Sequence, residues 1–419
     1  LRWNDGRLRS LANPVLLRLM RRLLLLLCVA ATAGCTTVTP RPVPPAYAWA
    51  TFDRAAITAQ GAFGLADRAR GRALTIDDPV RIASISKLVV ALGVMRLVEA
   101  GTLDLDRDVS DYLGWRLRNP AFADRPITLR LLLSHRSSLR DGVDYAVPLG
   151  TRLEDALAPP AAFDLVNPPG AYFRYANLNF PVIAVAMERA SGERFDRLMA
   201  RLVLGPLGLD ACFNWTTCGD ASVARAAALY ASDGSVIRDE LGGQRPDCPV
   251  LAPSGCDLST YVAGSNGALF SPQGGLRISA RDLTRIGRLL LNGGMHGGTR
   301  FLGAASIATL TAPAWTFDGT NGDTENGFYC GYGLAVQLLP VAVEGCSDDL
   351  FGGRRAMLGH AGDAYGVRSG LWIDPARGVG IAYFATGNGD DPPRGRTAYR
   401  AIEERLAGEL PAPTPAHPE

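Results

Sequence analysis

An α/β fold of the α+β kind, with one sheet assembled from the two ends of the chain and a helical insertion between them, is what this sequence predicts. Three observations predict it. Residues Ala48 to Leu65 hold two short apolar stretches able to pair as a hairpin. Tyr332 to Leu339, Val367 to Ile373 and Val379 to Ala385 are strand-like, the last two joined by the turn Asp374-Pro375-Ala376-Arg377-Gly378. The sequence between, up to about residue 325, is helical and loop-rich. With 419 residues, 47% hydrophobic and 20% charged, the chain can bury one large core or two modest ones and is not disordered.

Residues 1–34 read as a secretory signal: Met20-Arg21-Arg22, a leucine-rich stretch, then Thr32-Ala33-Gly34-Cys35, in the order basic, apolar, small. Met20 would start such a signal by itself, so residues 1–19 read as an over-long start. The apolar part is too short to span a bilayer. Its ending resembles a bacterial lipobox, which implies that Cys35 is acylated and becomes the mature N-terminus. The leucine usual three positions before that cysteine is Thr32 here. Residues 35–50, with Pro40, Pro42, Pro44 and Pro45, then read as an extended tether, residues 51–410 as the folded domain and residues 411–419 as a proline-rich tail. These segments predict an exported, periplasm-facing lipoprotein whose membrane contact is the N-terminal lipid. Residues 1–34 carry six arginines and one aspartate, and without them the formal charge falls from +2 to −3. Nothing in that balance reads as a nucleic-acid surface.

Of eight cysteines, Cys28 falls in the signal and Cys35 at its end, leaving Cys212, Cys218, Cys248, Cys256, Cys330 and Cys346. An even number in an exported chain implies disulfides. Short loop closures favour neighbours, 212 with 218, 248 with 256 and 330 with 346. A zinc site would need Cys-x-x-Cys or His-x-x-x-His pairs that the sequence lacks, so neither a metal nor a cofactor is expected. The region from Asp210 to Tyr261, with four of the six cysteines, is expected to form a stapled loop near the active cleft.

Chemistry enters with the lysine. Lys87 is the only one in the chain, within Ile82-Ala83-Ser84-Ile85-Ser86-Lys87; every other basic side chain but histidine is arginine. Arginine keeps its proton in proteins, whereas a desolvated lysine amine can become a base near neutral pH. If Ser84 opens a helix, a residue three positions on shares its face, and the hydroxyl and the amine lie within reach. The run from Leu88 to Gly101 reads as a largely buried helix stopped by Gly101. Ser84 then sits at its positive end, where unpaired N–H groups favour developing negative charge. Ser86 reads as packing, His135 as structural and His296 as a turn residue. A Gly-x-Ser-x-Gly elbow, a His-Glu-x-x-His pair and a phosphate-binding glycine loop are all missing from the sequence.

Downstream of Ser84-x-x-Lys87 lie Tyr175-Ala176-Asn177 and His360-Ala361-Gly362. In this order the three elements resemble the serine β-lactamase and penicillin-binding-protein superfamily, in its class C, D-alanyl-D-alanine carboxypeptidase and esterase branch. The phrases from Ile127 to Leu139, Pro169-Gly170, Pro206-Leu207-Gly208-Leu209 and Ser271 to Leu276 leading to Arg281-Asp282-Leu283 are similar too, so the resemblance covers roughly residues 50–405. It implies an antiparallel sheet flanked by helices, an all-helical subdomain, and a catalytic serine between them. It also implies Ser84 as nucleophile, Lys87 and Tyr175 as the two candidate bases, and Asn177 as a donor to a substrate carbonyl that also accepts from Lys87. His360 stands where the family often has lysine, able to bond the tyrosine or relay a proton. The N–H groups of Ser84 and Asp363 would form the oxyanion hole, with Ala361 and Gly362 against the substrate. An inward-pointing Asp363 side chain would disfavour anionic substrates. The expected function is an exported serine hydrolase forming an acyl-enzyme on Ser84 from a small ester, amide or peptide. A carboxypeptidase or class C-type β-lactamase is the alternative within the enzyme class, and a catalytically silent envelope binding protein the alternative outside it.

Overall fold

The computed structural model describes residues 45–230, 235–236, 244–389 and 391–411. The signal reading, Cys28, Cys35, the prolines of the tether before Pro45 and the tail from residue 412 lie outside the described residues. Eight strands form the main sheet: β1 (Ala46–Asp53), β2 (Ile57–Phe63), β3 (Trp315–Thr316), β4 (Gly331–Tyr332), β5 (Gln337–Leu339), β6 (Met357–Ala364), β7 (Val367–Asp374) and β8 (Val379–Thr386). Their spatial order is β3-β4-β5-β6-β7-β8-β1-β2, every neighbour antiparallel. The two chain ends therefore meet at the β8–β1 pair, where Ala46 faces Thr386 and Asp53 faces Val379. β1 starts inside the stretch read from the sequence as tether, because Ala46-Tyr47-Ala48-Trp49-Ala50 alternates in and out of the sheet and pairs along its length with β8.

Strands β6, β7, β8 and β1 are largely buried on both faces, whereas the edge strand β2 is exposed, and the sequences of β7 and β8 alternate between two cores. Leu371, Ile373, Ala382 and Phe384 join Ala48 and Phe52 in the larger core, which also holds the apolar side of a helix, Ala280–Leu291. Trp372, Ile381, Tyr383 and Ala385 point the other way, toward Tyr399, Leu406 and Leu410 at the C-terminal helix, Ala401–Ala407. Phe52 fits because two glycines make room for its ring. A Cβ at Gly287 or Gly380 would stand 2.2 or 2.4 Å from Phe52 Cζ.

Sequence and structure differ at three elements. β6 is a strand by the family resemblance, which puts His360 on one, but not by its own residues: with Gly359 and Gly362 and no β-branched residue it has little strand propensity, and neighbours hydrogen-bonded on both sides hold it extended. Tyr332 to Leu339 is broken into β4 and β5 by Ala335 at φ 56°. The sequence from about Arg396 to Leu410 reads as a closing helix, but the helix starts at Ala401, because the Thr397 N–H and hydroxyl donate to Glu404 Oε1 instead of entering helical bonding.

All six cysteines are bonded in the neighbour pairing, Cys212–Cys218, Cys248–Cys256 and Cys330–Cys346. Among the described residues no helix is long and apolar enough to cross a membrane.

Candidate active site

The first helix among the described residues, α1 (Ile85–Glu99), starts at the serine that the sequence singles out: Ser84 is its N-cap. Before it, Ala83 holds φ 50°, a left-handed backbone uncommon for a residue with a Cβ and characteristic of functional sites. Ser86 Oγ donates to Ala83 O (2.6 Å) and accepts from Leu276 N–H (3.1 Å), so that serine holds the turn in place. β6 closes on the same segment from the other side. Ser369 Oγ on β7 donates to Ile82 O (2.8 Å), and Gly362 passes so close that a Cβ there would stand 2.3 Å from Ile82 O.

Lys87 is fully buried and its Nζ touches three oxygens: Ser84 Oγ at 2.9 Å, Asn177 Oδ1 at 2.9 Å and Gln273 O at 2.8 Å. An ammonium satisfies all three as donor. A neutral amine has two protons and one lone pair, and of its three partners only the Ser84 hydroxyl can donate to that lone pair. Deprotonation of Lys87 therefore points its lone pair at the serine proton. Burial pushes the amine down to about 7, against the opposing pull of the Asp141 and Glu325 carboxylates.

Tyr175 and Asn177 reach this centre from the segment before a second helix, α2 (Asn179–Ser191). The Tyr175 ring is stacked between the His135 imidazole (centroids 4.2 Å apart) and the Tyr329 ring (4.5 Å). Lys87 Nζ lies 4.9 Å from its centroid. Burial pushes the phenol well above its ordinary value, and nearby Ser84 and Tyr329 hydroxyls offset only part of that. Tyr175 Oη makes no hydrogen bond of regular geometry, so those two hydroxyls act on it as neighbours and not as bonded partners. The usual order is thus compressed: the amine gives up its proton near neutrality while the phenol keeps its own.

His135 is structural, as the sequence reading has it. Its Nδ1 accepts from Ala176 N–H (3.1 Å) and from Asn179 Nδ2 (3.0 Å), which fixes the Tyr175 loop. Burial, reinforced by Lys87 and His360, keeps the ring neutral by holding its pKa well below the ordinary value.

His360 sits on β6 but its ring does not line the cleft. Its Nε2 bonds the Tyr332 hydroxyl at 2.8 Å and its Nδ1 the Ala361 carbonyl at 2.5 Å, so both nitrogens are occupied. The tyrosine it binds is Tyr332; its centroid is 6.3 Å from that of Tyr175. Burial, with Lys87 nearby, pushes His360 down to about 3.

Asp363 lies where expected, on the cleft wall with Ala361 and Gly362. Its side chain, 66% exposed, pairs with the nearly buried guanidinium of Arg368, directly opposite on β7. Its charge therefore meets a guanidinium instead of standing alone over the cleft, which Arg81, Arg394 and Arg400 line together with Asp141, Glu325 and Glu403.

Two residues escaped the sequence reading. Asp141 accepts from Asn177 N–H (2.9 Å), Asn177 Nδ2 (2.9 Å) and Leu178 N–H (3.0 Å). It commits one of the two Asn177 amide protons and turns the carbonyl end of that amide toward Lys87. Glu325, also on the cleft wall, is held at φ 47° beside Asn326 at φ 62°. Crowding by the cleft walls, with Asp323 and Asp141, raises its carboxyl to about 7, although the residue itself is exposed to solvent. Neither shows in any motif spacing, since Asp141 meets Asn177 across 36 residues of chain.

The cleft measures about 450 Å³, within the roughly 300–1,000 Å³ of small-molecule sites. No cluster of three or more histidine, cysteine, aspartate or glutamate side chains among the described residues is arranged to hold a metal. A nucleophile, a tunable amine and a neutral phenol converge on this space, which is the outfit of an acyl-transfer centre.

Comparison with known proteins places the chain. It belongs to the Beta-lactamase family, which matches residues 40–405, a family of serine hydrolases with β-lactamase, carboxypeptidase and esterase members. It is 30% identical over 254 residues to penicillin-binding protein 4 of Amycolatopsis lactamdurans, covering 59% of this chain and 60% of the relative. It is 34% identical over 164 residues to esterase EstB of Burkholderia gladioli, covering 36% and 42%. These matches span less than two thirds of either relative. In fold it is similar to a class C β-lactamase from Rhodobacter sphaeroides (TM-score 0.62, 18% identity, 87% of this chain and 92% of that one) and to EstCE1, a hydrolase with promiscuous acyltransferase activity (0.60, 24%, 93% and 98%).

Proposed function

We propose that this protein is an exported serine esterase that works through an acyl-enzyme on Ser84. The observation that carries the reading is the 2.9 Å contact between Ser84 Oγ and an enclosed amine whose pKa is brought to about 7. Neutral Lys87 takes the Ser84 proton as Oγ bonds the substrate carbonyl carbon, and the carbonyl π electrons move to oxygen. The N–H groups of Ser84 and Asp363 hold that oxyanion. When the carbonyl reforms, the bond to the leaving oxygen breaks, and the proton reaches it from Lys87 directly or by way of Tyr175. Water, deprotonated by the same pair, then releases the acid and restores Ser84. The cycle needs no cofactor. The esterase choice is supported by a histidine where relatives often carry lysine, and by the likeness to EstB.

A carboxypeptidase or β-lactamase reading is favoured by one observation, Arg81 and Arg394 on the cleft wall in addition to Arg368 and Arg400, which are paired with Asp363 and Asp391; such a lining would suit a substrate carboxylate. Side-by-side turnover of short p-nitrophenyl esters, D-Ala-D-Ala peptides and nitrocefin separates the two. Residues 1–34 as signal and Cys35 as lipid attachment belong to the same proposal, and the three disulfides fit an oxidising compartment. Ser84→Ala should abolish the mass adduct formed with a fluorophosphonate; an undiminished adduct would remove Ser84 from the mechanism. Failure of the intact protein to acylate with any broad serine probe would favour the silent binding protein instead.

A further inference from the structure

We infer that the surface around Phe63 and Leu65, where the chain enters the sheet, docks on a membrane, and that its occupant is a bilayer of anionic phospholipid. The inference rests on the reading of Cys35 as lipid-bearing and adds to it a second contact, made by the folded body itself. β2 is an edge strand: it pairs with β1 on one side and, among the described residues, with no strand on the other. Such an edge is ordinarily guarded by charge. Ile57–Phe63 carries none and is mostly exposed. Phe63, at its end, is 54% exposed, and Leu65, just past Gly64, is 41% exposed. Large apolar side chains occur singly on many surfaces without meaning, but these two stand together beside the start of β1. Phe63 faces Tyr47 and stacks on its ring at 5.3 Å, and a Cβ at Gly64 would stand 2.8 Å from Ala46 Cβ.

Arginines frame the pair. The Arg405 guanidinium lies over the Tyr47 ring, 4.3 Å from its centroid. A short hairpin, Leu65–Asp67 with Arg72–Ala73, carries Arg68 and Arg70 at its turn. Arg68 reaches back toward the entering chain: a Cβ at Gly387 would stand 3.1 Å from Arg68 Nη2 and 3.9 Å from Pro45 Cα. Asp67, the acid on this hairpin, is buried and paired with Arg70, while Arg70 and Arg405 are exposed. An apolar tip flanked by exposed cations suits the boundary between acyl chains and anionic headgroups. A second copy suits it less, since edge-to-edge pairing about a twofold axis would bring the same arginines face to face.

Chain length permits both contacts at once. Ten residues lead from Cys35 to Pro45, a reach of at most about 36 Å, so an acylated Cys35 keeps this surface within that distance of the bilayer. A single acyl chain holds a protein only marginally, and a basic, apolar surface is the kind of second signal that makes anchoring stable. The cleft is set back from the docked surface. Phe63, Tyr47, Ala385, Arg368 and Asp363 form one row across four strand pairs, from β2 to the cleft wall, about 19 Å at roughly 4.8 Å per pair.

The test floats the mature chain from position 35, carrying Cys35→Ser so that no lipid is attached, with vesicles of phosphatidylcholine alone or with about one-third phosphatidylglycerol. Only the anionic vesicles should carry the protein. Phe63→Glu and Leu65→Glu should each lower the partition coefficient at least about tenfold. Arg70→Gln and Arg405→Gln should each lower it about fivefold, an effect that high salt removes. Hydrolysis of a soluble p-nitrophenyl ester and the thermal midpoint should stay unchanged in all four variants, which separates lost docking from lost folding. No binding to anionic vesicles, or binding that the four variants leave unchanged, overturns the docking surface. Dimerisation without vesicles that Phe63→Glu abolishes, in a chain that does not float, gives the surface to a second copy and overturns it too. Intact mass of the unaltered protein extracted from membranes reads the anchor separately: Cys35 without acyl groups removes the anchor reading and leaves the flotation result standing.

Discussion

Replacing Lys87 by arginine keeps a cation in place and removes a base, which makes it the sharpest test of the chemistry. The structure sets the magnitude. Enclosure carries the amine from 10.5 to about 7, so about half of it is neutral at pH 7, against about one part in three thousand for an unperturbed lysine. A guanidinium keeps its proton across the assay range, so the variant has no neutral base beside Ser84, and the loss of a general base typically costs about 10²- to 10⁴-fold. Acylation by Lys87→Arg should therefore fall about 10²- to 10⁴-fold. The sign of the pH dependence is fixed too. In the wild type kcat/KM should rise with pH through about 7, as Lys87 sheds its proton, and level above it. The variant, whose guanidinium stays charged, should lack that limb. Single-turnover acylation by a p-nitrophenyl ester from pH 5 to 10, with intact mass to locate the adduct and thermal unfolding to show that the larger side chain is tolerated, reads both. Wild-type acylation by the variant at pH 7, or a wild-type rate flat between pH 5 and 8, would refute a lysine base.

Asp141→Asn removes a carboxylate that raises the Lys87 pKa and that orients Asn177. Its acid limb in kcat/KM should move to lower pH while the plateau drops about tenfold, since the Asn177 amide is then free to turn its donor end on the amine; an unmoved limb would mean that Asp141 is only scaffold. Gly362→Ala places a Cβ 2.3 Å from Ile82 O and Ser369 Oγ. The resulting shift of β6 from Ser84 should cost roughly 10²-fold in kcat, in line with the effect of about 1 Å of misplacement, and unchanged kcat would show that β6 does not set the oxyanion geometry. Tyr332→Phe leaves His360 Nε2 buried without its partner. Chemical denaturation should show a loss of about 1–3 kcal/mol, with kcat/KM changed only a few-fold; a hundredfold loss would make His360 a proton relay after all.

What the sequence disclosed is what depends on near neighbours. Ser84 and Lys87 are three residues apart, so helix geometry alone brings them together, and the three disulfides close loops of 6, 8 and 16 residues. β7 and β8 were legible because their apolar runs are long and joined by a turn with Pro375 and Gly378. β6 was not, since glycine is favoured there for its lack of a Cβ: at Gly359 a side chain would collide with Leu371 O at 1.8 Å. The glycines that hide the strand from its own residues are thus what lets it lie close to its neighbour and to Ser84. Asn177 was recognised by its motif, but the carboxylate that sets its orientation was not.

The lysine shows most clearly where legibility stops. Its uniqueness among so many arginines singles out the one such side chain able to shed its charge near neutral pH, because that property belongs to the side chain. Its proton affinity belongs to the enclosure instead. Asn177 and the Gln273 carbonyl bind it, Phe180 lies 5.4 Å away, and Asp141 and Glu325 pull against the desolvation. Those residues come from widely separated stretches of the chain, brought together only when α1 packs between the sheet and α2. Composition can therefore name the base, while only the fold can give it a pKa near the pH at which it would work.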